Sequence, residues 1–260
     1  MSRYVPTIPY MTDLLQAIDN ASPQPDDCTL AQSWLLGFDT ETTGVAPGRD
    51  AICSATLVLR DPEKGHDGDV IGEWLIDPHR PISPGASRVN GFTDEFLQAN
   101  GGDPVELVER IAGIVAAAQN KGIPLLAYNA PFDVHMLEGD LRRWGLAPLA
   151  KRLNGGIRVV DPLVIDRKVS HRGGKRTLTA TTEYYGVVPH GDFHDATADT
   201  VAAVDLMPPI TRLHADVAAL RLDEIMPWQR AAHEQWRESF NRWLADRGRR
   251  PVHEDWFPVD

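Results

Sequence analysis

At 260 residues, with 42% hydrophobic and 24% charged side chains, the chain is long enough to bury a full core and has the composition of an ordinary globular protein. No apolar run approaches the ~20 residues of a membrane span, and the start, Met1 to Pro6, lacks a signal-type apolar region. The net charge of −11 excludes a long duplex footprint held by many phosphate contacts, though not a grip on a few nucleotides at a strand end.

Residues 1–33 read as a polar N-terminal extension with one short helical piece around Met11–Ile18. The core domain opens at Trp34–Phe38, a continuous apolar run of strand length that predicts a central strand buried on both faces. Ile52–Leu59 and Val70–Ile76 predict two more strands, separated by a turn-rich stretch, and three strands without a helix between them imply an antiparallel meander. Asp103-Pro104-Val105-Glu106 then carries the signals of a helix start: an acidic N-cap, proline at the first position and glutamate three residues after the cap. That helix is expected to stop before Gly122. Strands at Pro124–Tyr128 and Ile157–Val160 alternate with helices at Pro131–Trp144, Pro162–Val169, Leu178–Tyr185 and Ala196–Met207. Strands first and strand–helix alternation afterwards predict an α/β fold, a mixed five-stranded sheet flanked by helices.

The division is therefore 1–33 for the N-terminal extension, 34–209 for the core domain and 210–260 for a C-terminal helical extension. In the last, Trp228, Ala232, Trp236, Phe240 and Trp243 form an apolar stripe at helical spacing. Packing on the chain's own domain is the expected use of that stripe, and a dimer or partner surface is the alternative. Cys28 and Cys53 have neither metal-motif spacing nor the look of a disulfide framework, which suits a reducing cytoplasm and small buried hydrophobes.

Chemistry concentrates in three stretches: Asp39-Thr40-Glu41-Thr42-Thr43-Gly44, Asn129-Ala130-Pro131-Phe132-Asp133 and His194-Asp195-Ala196-Thr197-Ala198-Asp199. Asp39 and Glu41 lie two apart in a strand, so their carboxylates share one face and repel unless a cation lies between them. Hard oxygen ligands of this kind suit Mg²⁺ or Mn²⁺. A polar strand end with an N-cap acid is the plain alternative. Thr42 and Gly44 sit where the chain turns, with backbone N–H groups able to hold a sugar or phosphate. Asp133 alone reads as a first-turn acid, favourable with the helix dipole. Asn129 reads as a cap or as an orienter of a ligand acid, and Phe132 as core or as a base-stacking wall. His194 has the unperturbed pKa of a general base, and Asp199 follows it by just over one turn; a helix-capping histidine is the default. Between the last strand and the third stretch, Arg167, Lys168, Arg172, Lys175 and Arg176 form a basic loop that either grips backbone phosphates or balances surface acids.

Taken in order, the three stretches resemble the DEDDh (DnaQ-like) 3′→5′ exonucleases, the family of the proofreading epsilon subunit of bacterial DNA polymerase III. The resemblance spans roughly Trp34 to Met207. It implies a ribonuclease-H-like fold in which Asp39, Glu41, Asp133 and Asp199 hold two Mg²⁺ (or Mn²⁺) ions and His194 activates the attacking water. It also implies a nucleic-acid 3′ end as partner, DNA in the first place, with RNA trimming or a non-catalytic adaptor role as alternatives. A DNA polymerase or a second copy of the chain are further candidate partners. The segment Val89-Asn90-Gly91-Phe92-Thr93 resembles the part of the family that touches the terminal nucleotide, with Asn90 where a histidine is usual. Tyr128 likewise stands where members often carry a histidine. An aspartate-nucleophile phosphatase would share the first stretch, but has no use for the third.

Overall fold

The computed structural model describes residues 10–188 and 196–257. Its centre is a five-stranded sheet in the order β3-β2-β1-β4-β5, formed by β1 (Leu35–Thr42), β2 (Ile52–Arg60), β3 (Val70–Leu75), β4 (Leu125–Leu126) and β5 (Val159–Val160). The first three strands are the expected antiparallel meander, while β4 joins β1 in parallel and β5 joins β4 in parallel. This is the mixed sheet of the ribonuclease-H-like fold, with β1 in the middle, where both faces are covered.

Eleven α-helices among the described residues surround the sheet. They are α1 (Tyr10–Asn20), α2 (Pro84–Asn90), α3 (Asp94–Asn100), α4 (Pro104–Asn120), α5 (Pro131–Arg143), α6 (Pro162–Val169), α7 (Leu178–Tyr185), α8 (Ala196–Asp205), α9 (Met207–Leu213), α10 (Ala215–Ala218) and α11 (Ile225–Ala245). Strand alternation sorts β1 between two cores. Leu36 and Phe38 join Leu14 and Ile18 of α1, Val108 and Ile111 of α4, and Val134 and Leu137 of α5. Leu35, on the opposite face, joins Ile165 of α6, Val204 of α8, Ile210 of α9, Val217 of α10 and Ile225 of α11. Burying each such aliphatic side chain contributes about 1.5–3 kcal/mol, so the helices that follow α8 are part of what holds the second core together.

Local chemistry explains the boundaries. The Asp103 side chain accepts the Glu106 N–H at 2.9 Å, capping α4 as its sequence predicts. The expected strands at Pro124–Tyr128 and Ile157–Val160 shrink to two residues each. Two helices, α2 and α3, occupy a stretch to which the sequence reading gave no regular structure. Their signals are standard caps: Ser83 and Thr93 accept the N–H groups of Ala86 and Phe96 at 3.1 and 3.2 Å, and Pro84 takes the first helical position of α2. Each is only seven residues long, too short to show an apolar period.

The aromatic stripe of α11 divides in two. Trp228 packs against both cores, and Ala232 lies in the first. Farther along, Trp236, Phe240 and Trp243 stack on one another at 5.2 and 5.5 Å, with Arg167 over the Trp236 ring. No helix among the described residues is long and apolar enough to cross a membrane.

Candidate active site

Asp39 and Glu41 point from β1 toward the face covered by α8. The approach of that helix depends on Gly37: a Cβ there would meet Val204 Cγ2 at 2.6 Å and Thr200 Cγ2 at 2.9 Å. With no side chain at Gly37, α8 lies directly on β1 and carries Asp199 to the Asp39 carboxylate. Asp133 arrives from the other side of the strand. Because β4 ends at Leu126, opposite Gly37, the backbone of β1 beyond that point has no neighbouring strand on this edge. Asp133 Oδ1 takes the place of that strand, accepting the Thr40 N–H at 3.0 Å and the Thr40 hydroxyl at 2.7 Å. The structure thus brings together the four acids that the three stretches nominate.

Their electrostatics agree with that placement. The Asp39 carboxyl is pushed well above the ordinary carboxylate range, first by burial and then by the negative charges of Asp133, Glu41 and Asp199. Asp133, buried, is pushed up to about 7 by loss of water, against the downward pull of the two Thr40 hydrogen bonds. The largest charges acting on Asp39 are therefore all carboxylates, a surplus that divalent cations with hard-oxygen preference neutralise. The donor set fits Mg²⁺ or Mn²⁺. The carboxylates sense one another without closing to coordination distance, since no group of three His, Cys, Asp or Glu side chains among the described residues is set to hold an ion as it stands. His194 and its neighbour Asp195 lie outside the described residues.

Beside the acids opens a cavity of about 460 Å³, lined among others by Glu41, Thr42, Gly44, Asn90, Phe132 and Arg49. Five of these six are residues that the sequence singled out. Asn90 reaches across to donate to the Thr42 carbonyl at 3.2 Å, and the Ser83 N–H donates to the Thr43 carbonyl at 2.8 Å, so α2 is stitched to the end of β1. Gly91 ends α2 at a φ of 74°, where glycine avoids the Cβ clash. Phe92 is not among the cavity-lining side chains: it stacks on Phe96 at 5.8 Å above Cys53, Leu75 and Leu97. The opposite wall is the 44–50 turn, fixed to α5 by Arg143, which donates to the Asp50 carbonyl at 2.8 Å and pairs with buried Asp140. Arg49, with its side chain 73% exposed, was not singled out from sequence; it is a cationic residue at the mouth of an acidic pocket.

Asn129 serves through its backbone. It adopts a left-handed φ of 68°, a conformation asparagine tolerates better than most residues, and its carbonyl accepts the Phe132 N–H at 3.0 Å. Ala130, not Asn129, holds the N-cap position of α5, so the capping role expected for Asn129 falls away.

The basic loop needs a correction. Arg172 and Arg176 do not face solvent phosphates but turn inward onto Asp166, which is fully buried. Arg172 Nη2 donates to Asp166 Oδ2 at 3.0 Å and to Thr181 Oγ1 at 2.7 Å, and Arg176 pairs with the same carboxylate. Burial alone would raise the Asp166 carboxyl, yet the two guanidinium groups hold it below its ordinary value. A buried charge demands such partners. Of the five basic side chains of this loop, Lys175 alone is exposed. The Tyr128 hydroxyl donates to the Arg176 carbonyl at 2.9 Å, tying this loop to the second stretch.

A ribonuclease-H-like sheet whose central strand carries two carboxylates, met there by two more from flanking helices, defines a class of phosphodiester-cleaving enzymes. Comparison places the chain within that class. The RNase_T family model, described as exonuclease, matches residues 36–207, and the chain belongs to that family of 3′→5′ exonucleases. It is 26% identical over 213 residues to the PolC-type DNA polymerase III of Staphylococcus aureus, a match covering 80% of this chain and 14% of the polymerase. Among solved structures, Escherichia coli exonuclease I in complex with a dA16 oligonucleotide superposes with a TM-score of 0.60 at 21% identity, covering 72% of this chain and 42% of that one. The same enzyme with a dT13 oligonucleotide gives 0.57 at 22% identity, over 71% of this chain and 42% of that one. At these identities the superpositions establish the fold. The chain spans well under half the length of these relatives.

Proposed function

We propose that the protein removes nucleotides one at a time from DNA 3′ ends, releasing nucleoside 5′-monophosphates by metal-dependent hydrolysis. The observation that carries this reading is the convergence on Asp39 of three other carboxylates beside an open cavity. Asp39, Glu41, Asp133 and Asp199 would hold two divalent ions. When bound, such a pair lowers the pKa of a water and neutralises charge on the departing 3′ oxygen.

The chain's own residues do the rest. His194 takes the proton of the attacking water, the role its unperturbed pKa suits near neutrality. Phe132 offers a ring to the terminal base, and Asn90, Thr42 and Gly44 line the space for its sugar. Arg49 and Lys175 supply positive charge to a strand whose backbone would otherwise meet an acidic surface. DNA is favoured over RNA because the polymerase relative is a DNA polymerase and the superposed exonuclease I holds deoxyoligonucleotides.

The test is digestion of matched 5′-labelled single-stranded DNA, duplex DNA and RNA in Mg²⁺, with and without chelator. A ladder from the 3′ end of DNA that chelator abolishes is the expected result, and His194→Ala should slow it by ~10²–10⁴-fold. Full cleavage in chelator would sink the metal-dependent reading, and faster digestion of RNA would reassign the substrate.

A further inference from the structure

The segment that bears Asp133 is held from a distance. Asp161, fully buried at the junction of β5 and α6, accepts hydrogen bonds on both carboxylate oxygens. Oδ1 takes the N–H groups of Asn129 and Leu163, each at 3.0 Å. Oδ2 takes the Ala130 N–H at 3.1 Å and the indole N–H of Trp256 at 2.8 Å. The Asn129–Ala130 turn, strained at Asn129, thus hangs on one carboxylate, and it sets the entry angle of α5 and the position of Asp133 three residues on.

Trp256 reaches that carboxylate because the chain after α11 doubles back along it. Val252 exchanges hydrogen bonds with Asn241, both at 2.8 Å, Asp255 pairs with Arg237, and the Glu254 carbonyl meets His233 Nε2 at 3.2 Å. Trp256 is then buried to 4% exposure, and Phe257 lies against the His135 ring of α5 at 5.8 Å. A buried indole N–H needs an acceptor, and the one that Trp256 takes is the carboxylate that holds the turn of the second motif.

We infer that Trp256 is a positioning residue of the active site, acting through Asp161 on the turn that places Asp133, so that the returning segment 251–257 is a working part of the catalytic centre. The inference rests on the function proposed above for its catalytic consequence, though not for its structural core. A carboxylate with four donors fixes the turn against the strain at Asn129. With three, the turn can relax and Asp133 drifts from β1. Partners standing behind a ligand in this way typically govern metal affinity and activity by ~10–100-fold.

The experiment uses the full chain and Trp256→Phe, which keeps a large ring and removes only the indole N–H. Hydrogen exchange by NMR on metal-free protein should show the Asn129 and Ala130 amides exchanging about tenfold faster, with the amides of α4 unchanged. Mn²⁺ titrated by electron paramagnetic resonance should bind ~10–100-fold more weakly. On 5′-labelled single-stranded DNA, kcat should fall with KM unchanged. Arg237→Ala, which loosens the segment at its exposed Asp255 anchor, should move the same readouts less far in the same direction. A lowered melting temperature with unchanged exchange at Asn129 and Ala130 and unchanged Mn²⁺ affinity would show Trp256 to be packing alone. Should Trp256→Phe fail to fold, Arg237→Ala decides: faster exchange at Val252 without any change at Asn129 and Ala130 overturns the inference. A wild-type protein without nuclease activity would defeat the functional reading and leave exchange and Mn²⁺ binding to judge this one.

Discussion

Asp39 and Asp133 face the same small volume but are supported in opposite ways. Asp39 belongs to an eight-residue central strand hydrogen-bonded to β2 along its whole length, so its backbone has no freedom to lose. Asp133 sits in the first turn of a helix whose entry depends on Asp161, and it replaces a strand that stops short. The first acid is placed by the sheet itself, the second by contacts gathered from residues 40, 161 and 256. A site built this way has one rigid half and one half that answers to distant substitutions.

The largest effect should come from the rigid half. Asp39→Asn cannot shift its backbone and removes one carboxylate of the proposed metal site, so cleavage of 5′-labelled single-stranded DNA should drop to background. The metal-free protein should melt no lower than wild type, because like-charge repulsion around Asp39 is relieved. A variant that lost activity only through unfolding would blur the distinction between the halves.

A smaller effect tests how the sheet meets α8. Gly37→Ala forces a Cβ against Val204 and Thr200, an overpacking that typically costs about 1–3 kcal/mol. Chemical denaturation should register that loss. Turnover should fall with it while KM holds, since Asp199 is carried away from Asp39 but the cavity lined by Thr42, Asn90 and Phe132 is untouched. Stability lost with turnover intact would mean that Asp199 is set by something other than this close approach.

The smallest effect concerns pH. Asp133 is raised from 3.8 to about 7, so the metal-free fold favours its protonated form. The stability from that preference is complete below the ordinary carboxylate range and disappears as pH climbs through about 7. Melting temperature without metal should therefore decline by a few degrees between about pH 5 and about pH 8. Millimolar Mg²⁺ should reduce the decline, and Asp133→Asn should make it shallower, leaving the part that comes from Asp39 and Asp161, whose carboxyls burial also raises. Asp166, held below its ordinary value, titrates beneath this window and does not confuse the reading. A metal-free profile rising with pH would contradict the assignment of Asp133.

How much of this was written locally in the chain follows the same division. The apolar run at Trp34–Phe38 marked the central strand, and the two carboxylates beyond it could be assigned to one face from spacing alone. The bounds of α6 and α7 were legible because Asp161-Pro162 and Thr177 are ordinary helix starts. The short helices α2 and α3 carried caps but no apolar period. β4 ends early because side-chain carboxylates, not a neighbouring strand, take up the N–H groups around its end: Asn129 and Ala130 beyond it bond Asp161, and Thr40 of β1 bonds Asp133, while after β5 the Asp161 N–H goes to the Gln229 side chain. No local pattern announces such an exchange. Arg172 and Arg176 looked like a solvent-facing loop because their partner, Asp166, reads as an unremarkable helix acid until the fold buries it. Trp256 showed no sign at all, being 95 residues from the carboxylate it meets.

That separation has a temporal meaning. A ribosome adds roughly 5–20 residues each second, so about 5–20 s pass between the emergence of Asp161 and that of Trp256. Throughout the interval the nascent chain can already pair β1 with β2 and β2 with β3, yet its Asp161 carboxylate lacks its fourth donor. On the role inferred for Trp256, full affinity of the acidic site for a cation arrives late in translation, well after the sheet has paired.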